Sequence, residues 1–253
     1  MSILYKWIGT IAGLICLIVV IVSAVVGYSR TINQTVDLSW PNCSHLPASH
    51  YSEAILGVTG GLDFSVNPCL GQEIAVANSY ELYVNTGNPG FPRIKQVGTG
   101  PKQCADRSLV CYSYNYGYQA GLYALKRADL AGAHSPFWWL DVETDNSWTS
   151  SIEANRADIT GMINAIQSIT PFRPVLGIYT ASIQWVSLVS HWKIGLPLWL
   201  GTGDTSIQKA VTDCRRPSVT GGSVLLTQYT VGQLDYNYVC IPRNPDSYFI
   251  SNG

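Results

Sequence analysis

The chain has 253 residues, 47% of them hydrophobic and 12% charged, with a formal net charge of -1; this excludes a disordered chain and fits a folded body with a large core. All 16 acids lie beyond residue 30, as do all the bases except Lys6 and Arg30, and no basic stripe is visible. Phosphate neutralisation needs clustered Lys and Arg, so a nucleic-acid partner is excluded.

The first element is "WIGTIAGLICLIVVIVSAVVGY" at 7–28, which is uncharged and follows Lys6. About twenty apolar residues cross a bilayer core. Residues 1–30 therefore read as an export element, either a signal peptide cleaved after Ala24 or an uncleaved membrane anchor, and Lys6 on the inner side sends residues 31–253 outward. An extracellular location, secreted or tethered to the membrane through this segment, is the expectation. The cysteines agree with it. Cys43, Cys69, Cys104, Cys111, Cys214 and Cys240 form an even set of six in the exported part, as an oxidising compartment favours. Fifteen pairings exist and the sequence does not choose among them. The working expectation is Cys43–Cys69, Cys104–Cys111 and Cys214–Cys240. No Cys-x-x-Cys pair occurs, so no metal site is expected.

Beyond a polar connector, short apolar strands alternate with helical stretches, the arrangement of a mainly parallel sheet wrapped by helices. Strands are predicted at 35–40, 53–60, 81–87, 137–143, 174–180, 196–202, 223–230 and 235–239, about eight in all. Helices are predicted over 115–132, 151–169 and 181–191, the second capped by Ser150 or Ser151 with Glu153 in its first turn. The Gly-, Pro-, Thr- and Ser-rich segments 88–111 and 203–222 read as long loops framing a cleft. The roughly 220 residues beyond the export element suit a single α/β barrel.

The strand "FWWLDVE" at 137–143 carries two acids in otherwise apolar company. Residues two apart in a strand share a face, so Asp141 and Glu143 project together. Two close carboxylates repel when both are ionised, which raises one pKa and keeps a proton available near neutrality. Glycosidic cleavage needs that combination, an acid for the leaving oxygen beside a negative charge or acceptor. A structural role, capping a loop or pairing with Arg156 or Arg173, is the competing reading. Position favours chemistry, because acids at strand C-terminal ends face the mouth of a β/α barrel. Asp37 and Asp235 occupy similar strand-end positions. Eight Trp and 15 Tyr add aromatic faces for sugar rings, with Trp40, Trp148 and Trp185 as cleft candidates. No G-x-S-x-G elbow and no H-E-x-x-H motif occurs, and no cofactor is called for.

Taken in order, "VDLSW", "WWLDVET", "GIYT" with Trp185 in the next helix, "LPLWLG" and "LLTQYTVGQLDYNYV" resemble glycoside hydrolase family 25 lysozymes over about residues 35–240. The resemblance implies an irregular TIM-like barrel, poorer in helices than an eightfold one, that hydrolyses the β-1,4 bond after N-acetylmuramic acid in peptidoglycan. It implies Glu143 as proton donor and Asp141 as the companion that orients or stabilises an intermediate formed by the substrate's acetamido group. Asp37 and Asp235 would position sugar, and Tyr179 and Gln228 would line the cleft. Strand three, "ELYVNTGNPG", lacks the His and aromatic pair often seen there. The alternatives are a non-catalytic glycan-binding module on the same barrel and a hydrolase of another extracellular polysaccharide.

Overall fold

The computed structural model describes residues 34–46, 51–96, 100–168 and 173–242. The apolar run at 7–28, and with it the expected signal or anchor helix, lies outside them. No helix among the described residues is long and apolar enough to cross a membrane.

Eight strands form a closed barrel in sequence order: β1 (Gln34–Leu38), β2 (Ala54–Gly57), β3 (Tyr80–Asn85), β4 (Phe137–Asp141), β5 (Val175–Thr180), β6 (Leu198–Asp204), β7 (Val224–Val231) and β8 (Leu234–Val239). Neighbours from β1 to β7 pair in parallel, while β7 and β8 pair antiparallel as a hairpin. The helices are α1 (Leu70–Ala75), α2 (Leu109–Leu130), α3 (Ile152–Ile166), α4 (Ser182–Val189) and α5 (Ile207–Asp213). All eight strands fall where the short apolar runs place them. Ser151 is the cap of α3, its hydroxyl accepting from the Ala154 amide.

Three helical expectations change. Helix α2 begins at Leu109, not 115, because its first turn is only partly buried and so shows no apolar stripe to mark it. The segment expected as a loop over 203–222 carries α5, capped by the Ser206 hydroxyl. Helix α1 was not expected, since its six residues are too few to display a helical period.

Strand alternation divides the side chains into two layers. Val36, Leu38, Leu56, Leu82, Val84, Trp138, Leu140, Val142, Leu176 and Ile178 pack outward with Ala120, Ala124, Ile159, Met162 and Ile166 of the helices. Ile55, Phe137, Trp139, Trp199, Leu226 and Val239 form a separate inner cluster, joined by Tyr83 and Tyr179. The adjacent Trp138 and Trp139 thus serve opposite faces of one strand, and both are buried.

The inner layer fits because glycines face its rings. A Cβ on Gly177 would lie 2.3 Å from the Trp139 ring, one on Gly57 would lie 2.8 Å from Tyr83, and one on Gly201 would lie 3.0 Å from the Tyr179 oxygen. Each large ring therefore occupies space that a neighbouring strand leaves empty. The same device joins α2 to α3. Cβ atoms on Gly117 and Gly161 would sit 2.0 Å from the carbonyl oxygens of Asp158 and Tyr114, so the two backbones touch. Three disulfides, Cys43–Cys69, Cys104–Cys111 and Cys214–Cys240, tie the connections around this frame.

Overpacking a close backbone contact costs roughly 1–3 kcal/mol or more. Gly161→Ala is expected to destabilise the protein by about 3 kcal/mol in urea unfolding. Gly71→Ala, in α1 with nothing within 4 Å of the added carbon, is expected to be neutral or to stabilise by up to about 1 kcal/mol.

Candidate active site

The inward positions at the C-terminal ends of the strands are polar where those deeper in the barrel are aromatic. Register places Asn85 beside Asp141 and Asp141 beside Tyr179, and the hairpin places Gln228 opposite Asn237. The rings of Tyr179 and Trp199 lie 4.4 Å apart, and Trp139 and Tyr83 approach Trp199 at 5.8 and 6.2 Å. The indole nitrogens inside this cluster are satisfied, Trp139 donating to Glu81 at 2.6 Å and Trp199 to Asn237 Oδ1 at 2.7 Å.

Asp141, the last residue of β4, is 5% exposed. Asn85 Nδ2 donates to its Oδ2 at 2.5 Å, while Oδ1 is buried without an N–H or O–H donor aimed at it. Glu143, two residues on and half-buried, lies within hydrogen-bonding reach of Asp141. Two carboxyl groups can make such a bond only with a proton between them. Burial, then the Glu143 charge, hold Asp141 well above the usual carboxylate range despite the Asn85 amide. Burial also raises Glu143, with the charges of Asp145 and Asp235 adding to it, while its hydrogen bonds with Asp141 and Tyr179 pull it back. Among the described residues neither acid forms a salt bridge. Arg156 donates instead to the Val189 carbonyl.

A second hydrogen-bonded chain runs beside the pair. The Tyr179 hydroxyl donates to Gln228 Oε1 at 2.7 Å, and Gln228 Nε2 donates to Asp37 Oδ2 at 2.8 Å, where Asn237 also donates at 3.3 Å. Burial and the nearby Asp235 charge still carry the Asp37 pKa up to about 7, against the pull of both amides. Asp235 accepts from the Thr230 hydroxyl at 2.6 Å across the hairpin, and its charge reaches both Asp37 and Glu143. Asp37, Asp141, Glu143, Asp235, Tyr179 and Gln228 therefore converge on one end of the barrel.

The tryptophans divide. Trp148 packs against the outer layer and its indole nitrogen donates to the Glu143 carbonyl at 2.7 Å, so it braces the turn that follows β4. Trp40, just beyond β1, is 49% exposed with its indole nitrogen against Gly61. Trp185 is fully buried against Trp192 and is a core residue, not a cleft one. Asn85, Asn237 and Trp199 escaped the sequence reading. Asn237 follows Asp235 by two along β8, and that same-face spacing was the signal available for it; Asn85 follows no predicted site residue on its strand. Two cavities of about 510 and 520 Å³ lie elsewhere, one against Trp138, Pro136 and Arg173, the other beside the Cys214–Cys240 bond.

No protein-family model and no curated protein sequence matches the chain. Solved structures do. The virulence factor GHIP of Streptococcus pneumoniae, a glycosyl hydrolase 25 described as participating in host cell invasion, superposes with a TM-score of 0.54 at 13% identity, covering 88% of this chain and 93% of that one. The modular autolysin LytC of Streptococcus pneumoniae gives a TM-score of 0.52 at 10% identity over 81% of this chain, which spans 46% of the LytC chain. At these identities the likeness is one of fold, and the fold is the irregular barrel of these proteins.

Burial leaves several acids with raised pKa values, including Asp37 and Glu73 at about 7 against ordinary values of 3.8 and 4.5. A folded-state pKa above the unfolded one means that the folded chain holds the proton more tightly. That contribution to stability is complete below about pH 4 and is lost as pH rises through about 7. Thermal unfolding is accordingly expected at higher temperature at pH 5 than at pH 8. Glu73→Gln, which keeps an acceptor for the Asn67 amide that donates to Glu73 at 2.8 Å, is expected to narrow that difference.

Proposed function

We propose that the chain is a glycoside hydrolase of cell-wall polysaccharide, a muramidase that cleaves the β-1,4 bond after N-acetylmuramic acid in peptidoglycan. Residues 31–253 form its hydrolase domain, and residues 1–30 export it or tether it outside the membrane. The observation that carries this reading is the Asp141–Glu143 pair, placed to share a proton and set among Asp37 and Asp235 at the strand ends of a barrel whose fold matches a glycosyl hydrolase 25.

Glu143 is the more exposed acid of the pair and is the proton donor to the leaving glycosidic oxygen. Asp141 is the companion. It accepts the N–H of the substrate's acetamido group, whose oxygen attacks the anomeric carbon as the glycosidic bond breaks; the leaving oxygen takes the Glu143 proton. Water then opens the cyclic intermediate, returning a proton to Glu143. A positive charge develops on the sugar, and the acids Asp37 and Asp235 stabilise it electrostatically. The Tyr179, Trp199 and Trp139 rings beneath the acids, tilted and edge-on to one another, hold the constellation rigid, which keeps donor and acceptor in reacting geometry.

Glu143→Gln keeps the side chain's shape and removes the transferable proton. Release of reducing ends from purified peptidoglycan is expected to fall by about 10³-fold, in the range of general-acid contributions, with thermal unfolding nearly unchanged. Undiminished turnover in that variant contradicts the assignment. Binding of peptidoglycan by the unaltered protein without new reducing ends points to the non-catalytic glycan-binding alternative.

A further inference from the structure

Asn85 sits on β3 directly beside Asp141 and is buried, as is Thr59 just beyond β2. Thr59 Oγ1 accepts from the Asn85 backbone amide at 3.2 Å and donates to Asn85 Oδ1 at 2.8 Å. With its carbonyl end occupied by a hydroxyl proton, the amide has one orientation: Nδ2 faces Asp141 Oδ2, at 2.5 Å. Reversing it would point a carbonyl at a carboxylate and strip the Thr59 proton of its acceptor, leaving two buried groups unsatisfied.

We propose that Asn85, pinned by Thr59, is a positioning residue that claims Oδ2 of Asp141 and so assigns Oδ1 to the chemistry, as the oxygen that meets Glu143 and the substrate amide. The inference deepens the hydrolase reading and rests on it. An amide N–H can only donate, so Oδ2 is fixed as an acceptor and the proton of the acid pair has Oδ1 and Glu143 as its stations. The buried Oδ1, to which no other side chain donates, is the oxygen such a division leaves open. Without the amide, the carboxyl group is free to take the proton on either oxygen and to rotate about its own axis, and part of the population no longer presents an acceptor to the acetamido group.

The groups whose charge acts on Asp141 or is felt from it are Glu143 beyond β4, Asp37 on β1, Tyr83 on β3 and Tyr179 on β5. All are acids or phenols, so none replaces the stabilisation that the Asn85 N–H gives to ionised Asp141. Its removal makes Asp141 easier to protonate, which moves the acid limb of kcat/KM to higher pH.

The test uses the full-length chain and the variants Asn85→Ala, Thr59→Val, which is nearly isosteric, and Thr59→Ser, which retains the hydroxyl. In Asn85→Ala, kcat is expected to fall by about 10- to 100-fold, as for a misplaced catalytic group, with KM within about two-fold and the acid limb higher by about one pH unit. Thr59→Val is expected to change both in the same direction and Thr59→Ser to restore them. An independent readout needs no turnover: the carbon-13 carboxyl signal of Asp141 titrates at higher pH in Asn85→Ala and Thr59→Val than in the unaltered protein. If both variants lose activity with the acid limb and the Asp141 titration unmoved, Asn85 is structural only and the proposal is overturned. If the unaltered protein releases no reducing ends, the hydrolase reading fails, while the titration still decides whether Asn85 positions Asp141.

Discussion

A buried carboxyl group at the end of a barrel strand costs several kcal/mol if it is ionised and unpaired, and here Asp141 ends β4 with the half-buried Glu143 two residues beyond it. What makes this tolerable is the proton they are placed to share, together with the Asn85 amide that donates to Asp141. No arginine or lysine neutralises the pair among the described residues. A guanidinium at 4 Å would have quieted the site by fixing both acids as carboxylates, and the chain does without one. The rest of the inner barrel is arranged around that constraint. Aromatic rings fill the space beneath the acids and exclude water, and every indole nitrogen in this layer has an acceptor.

The strands were legible because a barrel buried on both faces writes near-continuous apolar runs, and "FWWLDVE" stood out as a run broken by acids. The convergence of Asp37, Asp141, Glu143 and Asp235 was equally readable, since acids at strand C-terminal ends must share one mouth once the sheet closes. Hidden from the sequence were features that depend on partners from other strands. Asn85 is an unremarkable residue until β3 is placed beside β4, and Thr59 gains its role only from the amide it pins. Gly57, Gly177 and Gly201 resemble weak points in strands, yet each is the space into which a neighbour's ring fits. The short helices α1 and α5 escaped for a different reason, having too few turns for a period to show. Trp185 was misplaced because an aromatic residue near a site motif reads alike whether it lines a cleft or fills a core.

A fold shared with GHIP at 13% identity is consistent with this division of labour. The outer layer asks only for apolar volume and for small residues where α2 crosses α3, demands that many sequences meet. The inner layer asks for specific shapes, but it couples rings to glycines, so a different pairing of large and small side chains preserves the barrel. The six cysteines close connections outside that frame.

The claim on which this account turns is that one proton is held between Asp141 and Glu143 in the resting protein. Neutron diffraction from deuterated crystals grown near pH 6 tests it most directly. The account expects nuclear density for a single deuteron between the two carboxyl groups, with Asp141 Oδ2 free of deuterium and facing the Asn85 amide. Two bare carboxylates, or a deuteron on Oδ2, would contradict it.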